Sequence, residues 1–215
     1  MKQKILTAIF LFTSVMAFSQ FDGVKQVFES PNLKQEIATH KTVAILPFKA
    51  TISFKRLPKN FNEVANKEDE KNLGMNMQSG LYTYLLRKSS DYTVAIQDID
   101  RTNALLKKNG IFEILDEQSS DEIAKILGVD AIIKCSYAYE KTGSEGAAIV
   151  KSLLIGFGTG KVATGELTMQ INNAKDGGLL WRFYKQMNED VMSSPSAMME
   201  RMMRKVGRNF PYEKD

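Results

Sequence analysis

His40 is the only histidine among the 215 residues, so any Ser-His or Cys-His nucleophile must use it, and no histidine cluster can hold a metal. It stands in the polar approach Ala38-Thr39-His40-Lys41-Thr42, beside a lysine that disfavours a second positive charge, and is expected as an exposed linker histidine. Cys135 is also alone, which rules out an internal disulfide. Its setting, AIIKCSY, predicts a strand where the thiol acts as a small apolar group. The acids offer no clearer chemistry. Glu68-Asp69-Glu70 is expected as the solvated first turn of a helix, where negative charge is favoured. Asp98-x-Asp100 has a cation-like spacing, but a helix cap plus a first-turn acid accounts for both, and no further carboxylates lie near in sequence.

The glycines between Ile155 and Ala163 imitate two nucleotide motifs. Gly158-x-Gly160-x-x-Ala163 meets a dinucleotide fingerprint, and Gly160-Lys161 echoes a phosphate loop. Both motifs need a helix N-terminus directly after the glycines to supply N–H donors. Here the following residues alternate as a strand, and Ile155 and Val162 replace the first glycine and the magnesium-binding hydroxyl of a phosphate loop. No catalytic, cofactor-binding or metal-ligating set is predicted, and the chain is expected not to be an enzyme.

The opening segment predicts where the chain works. Lys2 and Lys4 precede an uncharged run from Ile5 to Phe18, and Ala17 and Ser19 are small residues at signal-peptidase spacing. A helix of about 14 residues spans roughly 21 Å, short of a hydrocarbon core of about 30 Å. Residues 1–19 are therefore expected as a cleaved signal peptide, with Gln20 at the mature N-terminus. No cysteine follows the run, so no lipid anchor is expected there. The location expected is the periplasm or the exterior, with outer-membrane association open. Two of the 29 lysines and arginines lie in this segment, which leaves 27 against 25 acids, and so weak a balance makes nucleic acid an unexpected partner. Composition is otherwise globular, with 43% hydrophobic and 25% charged residues.

Elements follow from periodicity. Residues 20–41 read as a lead-in with a short helix, Ser30 as its cap and Pro31 in its first turn. Val43 to Phe48 carries no polar residue and predicts a strand buried on both sides, with Pro47 at its end. Residues 51–66 are basic and irregular. Glu68 to Lys88 places Leu73, Met77, Leu81, Tyr84 and Leu85 on one helical face. A strand over Tyr92–Ile96 follows, then a helix after Asp98 stopping at Gly110, then one opened by the capping box Ser119-x-x-Glu122 and stopped at Gly128. Val129–Glu140, Val162–Asn172 and Leu179–Met187 predict strands, the last two joined by the turn Asp176-Gly177-Gly178. Ser194-Pro195 opens a final helix carrying Met198, Met199, Met202, Met203 and Val206, read as a buried face, with a partner groove as the other reading. The result is one α/β domain over 42–210, a mixed β-sheet flanked by helices in the order β-α-β-α-α-β-β-β-α, preceded by a signal peptide, with 211–215 as a tail.

One segment resists this scheme. Ala147 to Phe157, AAIVKSLLIGF, joins two strands where a polar hairpin is expected. It is either core or an exposed apolar insertion that meets a partner or lipid. Ile149, Leu153, Leu154, Ile155 and Phe157 are the contact candidates.

Four phrases line up in order: Val43-Ala44-Ile45-Leu46-Pro47-Phe48; Val94-Ala95-Ile96-Gln97-Asp98-Ile99-Asp100-Arg101 with Leu105-Leu106; Leu127-Gly128-Val129-Asp130-Ala131-Ile132-Ile133; and Ala174-Lys175-Asp176-Gly177-Gly178-Leu179-Leu180-Trp181. From Thr42 to Gln186 the chain resembles the bacterial envelope α/β domain family of CsgG, LpoB and the N-terminal domain of TolB. The resemblance implies a mixed sheet, no enzymatic activity and work done through protein contacts. In the channel-forming branch a glycine-rich membrane hairpin occupies the slot that here runs from Tyr139-Glu140 through Gly160. The other hairpin would fall in 51–66, where Lys55, Arg56, Lys59 and Glu63 make a poor lipid-facing ribbon. The lipid-anchor cysteine usual in such relatives is absent. The expected function is that of a periplasmic or secreted accessory protein, binding another envelope protein or copies of itself, with membrane contact through 147–157 open. The alternative is a small-molecule or lipid carrier whose pocket is lined by 147–157 and the Met-rich helix.

Overall fold

The computed structural model describes residues 25–141, 163–187, 195–206 and 209–214. The signal-like segment and residues 142–162, with all five contact candidates, lie outside the described residues.

Among the described residues, seven strands form one mixed sheet: β1 (Lys25–Glu29), β2 (Thr42–Ile45), β3 (Lys49–Phe54), β4 (Ala95–Ile96), β5 (Ala131–Lys141), β6 (Ala163–Asn173) and β7 (Leu179–Met187). Their order is β1-β7-β6-β5-β2-β4, and β3 pairs with β5 beyond the end of β2. The helices are α1 (Leu33–Ile37), α2 (Glu63–Arg87), α3 (Ile99–Lys108), α4 (Ser120–Leu127) and α5 (Pro195–Val206). The protein is a mixed α/β domain.

β2 has no polar residue to place on a wet face after Thr42, and both its faces are covered. Val43 and Ile45 enter the larger core with α2 and α5, while Ala44 enters a smaller core with α3 and α4. The strand stops before Pro47, as a residue without an N–H requires. Leu46 makes its last bond, to the Ile133 carbonyl at 3.0 Å, and Phe48 then donates to the Gly74 carbonyl of α2 at 3.4 Å. Gly74 has to be glycine here, since a Cβ would stand 2.3 Å from the Phe48 carbonyl oxygen.

The chain then resumes as β3, from Lys49 opposite Ser136 to Phe54 opposite Lys141. This corrects the irregular reading of 51–66. Ala50, Ile52 and Phe54 pack inward, an alternation obscured by the basic residues that follow. α2 starts at Glu63, where the Asn62 side chain accepts from the Ala65 amide. Its first turns carry no buried apolar residue, so periodicity misplaced the start. Glu68-Asp69-Glu70 accordingly sits beyond the first turn, and Glu70 accepts from the Ile52 amide at 2.7 Å. The expected solvated first-turn role is thus corrected.

Other signals hold. Asp98 caps α3, the Ser119/Glu122 capping box opens α4, and Gly110, Gly128 and Gly177 have positive φ at the stops and in the β6–β7 turn. The lead-in region supplies β1, antiparallel to β7, and α1 begins after Asn32 rather than Ser30. At the other end, Tyr212 is wholly buried and its carbonyl accepts from the Thr93 amide at 2.9 Å, so Phe210 and Tyr212 pack into the domain.

Candidate functional site

The side chains with chemical potential are each committed to structure. His40, expected as an exposed linker residue, is instead only 7% exposed, and its Nδ1 lies 2.7 Å from the Tyr212 hydroxyl. The tail folds back over it, which the local polar sequence could not reveal. Burial pushes the imidazole pKa down, against the pull of the Asp130 charge and a hydrogen bond with Asn173. Asp130 accepts from the Lys41 and Thr42 amides at 2.8 and 2.9 Å, tying β5 to the entry of β2. Burial alone would raise its carboxyl pKa, but the Thr42 and Lys41 amides and the charges of His40 and Lys41 together hold it low. Cys135 is buried as expected, and desolvation pushes its thiol pKa up, away from the reactive thiolate. Asp98 accepts from Arg101 and from the Tyr82 hydroxyl. Among the described residues no group of three His, Cys, Asp or Glu side chains could hold a metal.

Met199, Met202, Met203 and Val206 are core residues, at most 1% exposed, packed with Trp181 and Phe183. That face of α5 is not a free partner groove, and it is not available to line a carrier pocket.

Among the described residues, an uncovered surface lies on the opposite side of the sheet. Because strand side chains alternate, β5 sends Cys135, Tyr137 and Tyr139 into the core and turns Lys134, Ser136, Ala138 and Glu140 the other way. In β6, Leu167, Met169 and Ile171 point inward while Glu166, Thr168 and Gln170 share the outer face. α3, α4 and the 3-10 turn Phe112–Glu117 cover only the end of this face near Ile132. Beyond them, no described element lies over it.

Register makes this half-face an ordered array. Lys134 stands opposite Gln170, and Ser136 opposite Thr168. Gln170 and Thr168 in turn face Arg182 and Tyr184 of β7. Among the described residues, the side chains of Lys134, Ser136, Thr168 and Gln170 bond to no other side chain or backbone group, and Arg182 Nε is buried without a partner. These four residues floor a cavity of about 260 Å³ walled by Leu46, Pro47 and Leu115. The exposed ion pair Lys49–Asp116, 2.5 Å long, stands at its rim and opens onto a second hollow of about 170 Å³ beside Phe112. The β6 alternation is legible in the sequence, but the exposure of its polar half is not. The missing information was tertiary: α3 and α4 stop short of covering it.

No protein-family model matches the chain, and no curated protein matches it. Among solved structures, it is similar to lipoprotein GNA1162 from Neisseria meningitidis, with a TM-score of 0.45 and 12% identity over 78% of this chain and 94% of that one. It is similar to the PelC dodecamer subunit from Paraburkholderia phytofirmans, with a TM-score of 0.37 and 12% identity over 90% and 99%. It is also similar to the LpoB C-terminal domain from Salmonella enterica, with a TM-score of 0.36 and 10% identity over 74% and 94%. Likeness at this level transfers neither partners nor activity.

Proposed function

We propose that this protein is an exported, non-enzymatic accessory protein of the bacterial envelope that works through protein contacts. The signal-like opening and the CsgG/LpoB/TolB-like phrases support the location. The observation that carries the contact reading is the half-face that no described element covers, where the side chains of Lys134, Ser136, Thr168 and Gln170 bond to no other described group. Polar groups are buried at an interface only when their bonds are completed, so the matching surface must present polar partners of its own. The apolar residues Ile149, Leu153, Leu154, Ile155 and Phe157 are a second contact region in this proposal. The described strands on either side of their segment end at the pair Lys141 and Ala163.

Site-specific photo-crosslinking in intact cells tests the reading. A photoreactive residue at Thr168 or Ser136 is expected to give a discrete adduct that Lys134→Glu weakens. The same probe at Lys108, exposed at the end of α3, is expected to give none. Absence of adducts from the half-face, or equal adducts from Lys108, overturns the assignment.

A further inference from the structure

Among the described residues β1 ends the sheet, and all five of its residues, Lys25-Gln26-Val27-Phe28-Glu29, are exposed. One edge pairs with β7, and no described strand lies on the other. Val27 and Phe28 are 38% and 47% exposed, an apolar pair on a strand edge that sheet proteins ordinarily blunt with charge or cover.

The backbone polarity of this edge follows from one bond. The Ser30 amide donates to the Leu180 carbonyl at 2.8 Å, so Ser30 directs its polar groups toward β7. Antiparallel strands alternate residue by residue. Gln26 and Phe28 therefore also face β7, and Lys25, Val27 and Glu29 turn their N–H and C=O groups outward.

We propose that this edge is a self-pairing surface, through which β1 joins β1 of a second copy, antiparallel about a two-fold axis at Val27. The two seven-stranded sheets then become one continuous sheet. In this register Val27 faces Val27 of the second copy, and Lys25 faces Glu29 in both directions. Those three residues are the ones whose backbone groups point outward, so each pair exchanges both of its hydrogen bonds. The charges select the arrangement. Antiparallel pairing sets Lys25 directly across from Glu29 on the face that carries Val27 and Phe183, whereas parallel pairing brings like charges together. Lys25 already lies over that face, its Nζ 5.9 Å from the Phe183 ring centroid. On the opposite face, Phe28 falls beside Gln26 of the second copy and diagonal to its Phe28, within reach of an aromatic contact. The surface is self-complementary, as an isologous interface demands.

This inference deepens the protein-contact reading by naming one partner, and it uses an edge separate from the polar half-face. The test uses protein expressed from the full-length sequence, with mass measured by light scattering over micromolar concentrations. The wild type is expected to reach twice the monomer mass. Val27→Pro deletes an outward N–H that β7 does not use, so it is expected to give a folded monomer whose melting temperature matches that of the wild type diluted to its monomeric range. Glu29→Lys and Lys25→Glu are each expected to weaken dimerisation on the order of tenfold, and the double exchange to restore it. Val27→Cys is expected to form an intermolecular disulfide under mild oxidation, and Gln26→Cys is not. A wild type that stays monomeric, a dimer indifferent to Val27→Pro, or a double exchange that fails to rescue overturns the proposal. Retention of the Thr168 adduct in Val27→Pro separates such a failure from failure of the half-face assignment.

Discussion

His40 shows how a residue with catalytic potential is consumed by architecture. Its imidazole is enclosed between the entry to β2 and the terminal Tyr212, and burial lowers its pKa from the ordinary value near 6.5. Between that lowered value and about 6.5, the unfolded chain binds more protons at this site than the folded one, so stability rises with pH across the window. The contribution is complete above about 6.5 and is lost on acidification. Urea midpoints at pH 7.5 and 5.5 are expected to differ, with the lower pH less stable, and His40→Gln is expected to narrow the gap. An equal gap in both proteins removes His40 as the cause. The side chain's role was illegible in sequence because its partner lies 172 residues away. Cys135 was legible, because a lone thiol between apolar strand residues has few other places to go.

At the scale of elements, most signals written within a few residues of one another survived into the structure, the Ser30 cap being an exception. The capping box of α4, the Asp98 cap and the glycine stops are local bargains between a side chain and its own backbone. β1 and β3 were illegible for the opposite reason. Neither has a strong pattern of its own, and each is a strand because β7 or β5 offers it a ladder. The contact between α2 and α3 is similarly non-local. Gln78 and Asn103 exchange amide bonds of 2.9 and 3.1 Å, and Gln78 also donates to the Ile45 carbonyl at 2.7 Å. Both residues are buried, so removing one leaves the other unpaired at a cost of about 1–3 kcal/mol. Gln78→Leu and Asn103→Leu are each expected to lower the urea midpoint without changing the slope, and the double variant to be less destabilised than the sum. Strict additivity would mean that the pair does not act as a unit.

For the whole molecule, the distribution of polar and apolar surface explains why composition alone was silent about the proposed contact region. The α2/α5 side of the sheet holds the larger core, and the other side is divided between the small α3/α4 core and the uncovered half-face. Alternation along β5 and β6 indicated two faces, but the reach of each helix across them is a property of the assembled chain. β3 and β5 run parallel toward the same end of the sheet, and β6 returns from it, so Phe54, Lys141 and Ala163 gather there. The apolar sequence 147–157 is therefore carried between adjacent, already paired positions.

That register permits a direct test of whether 147–157 belongs to the core or to a contact surface. Lys141 and Ala163 are opposite one another in an antiparallel pair, so a glycine-containing turn of about two to four residues can join them in place of 142–162. If the segment is a contact surface, as proposed, the shortened chain is expected to fold with a melting temperature near that of the wild type. It should also be more soluble and give fewer adducts with its partner. Leu154→Asp and Phe157→Asp are expected to act in the same direction without changing chain length. If the segment belongs to the core, each buried carboxylate costs several kcal/mol out of a total stability of about 5–15 kcal/mol. The aspartate variants would then unfold along with the shortened chain, and the contact role of 147–157 would fail. The polar half-face is built on strands that none of these changes touches. Its Thr168 adduct is therefore expected to persist in every variant that folds, and its loss from a folded shortened chain would mean that the two regions bind as one surface.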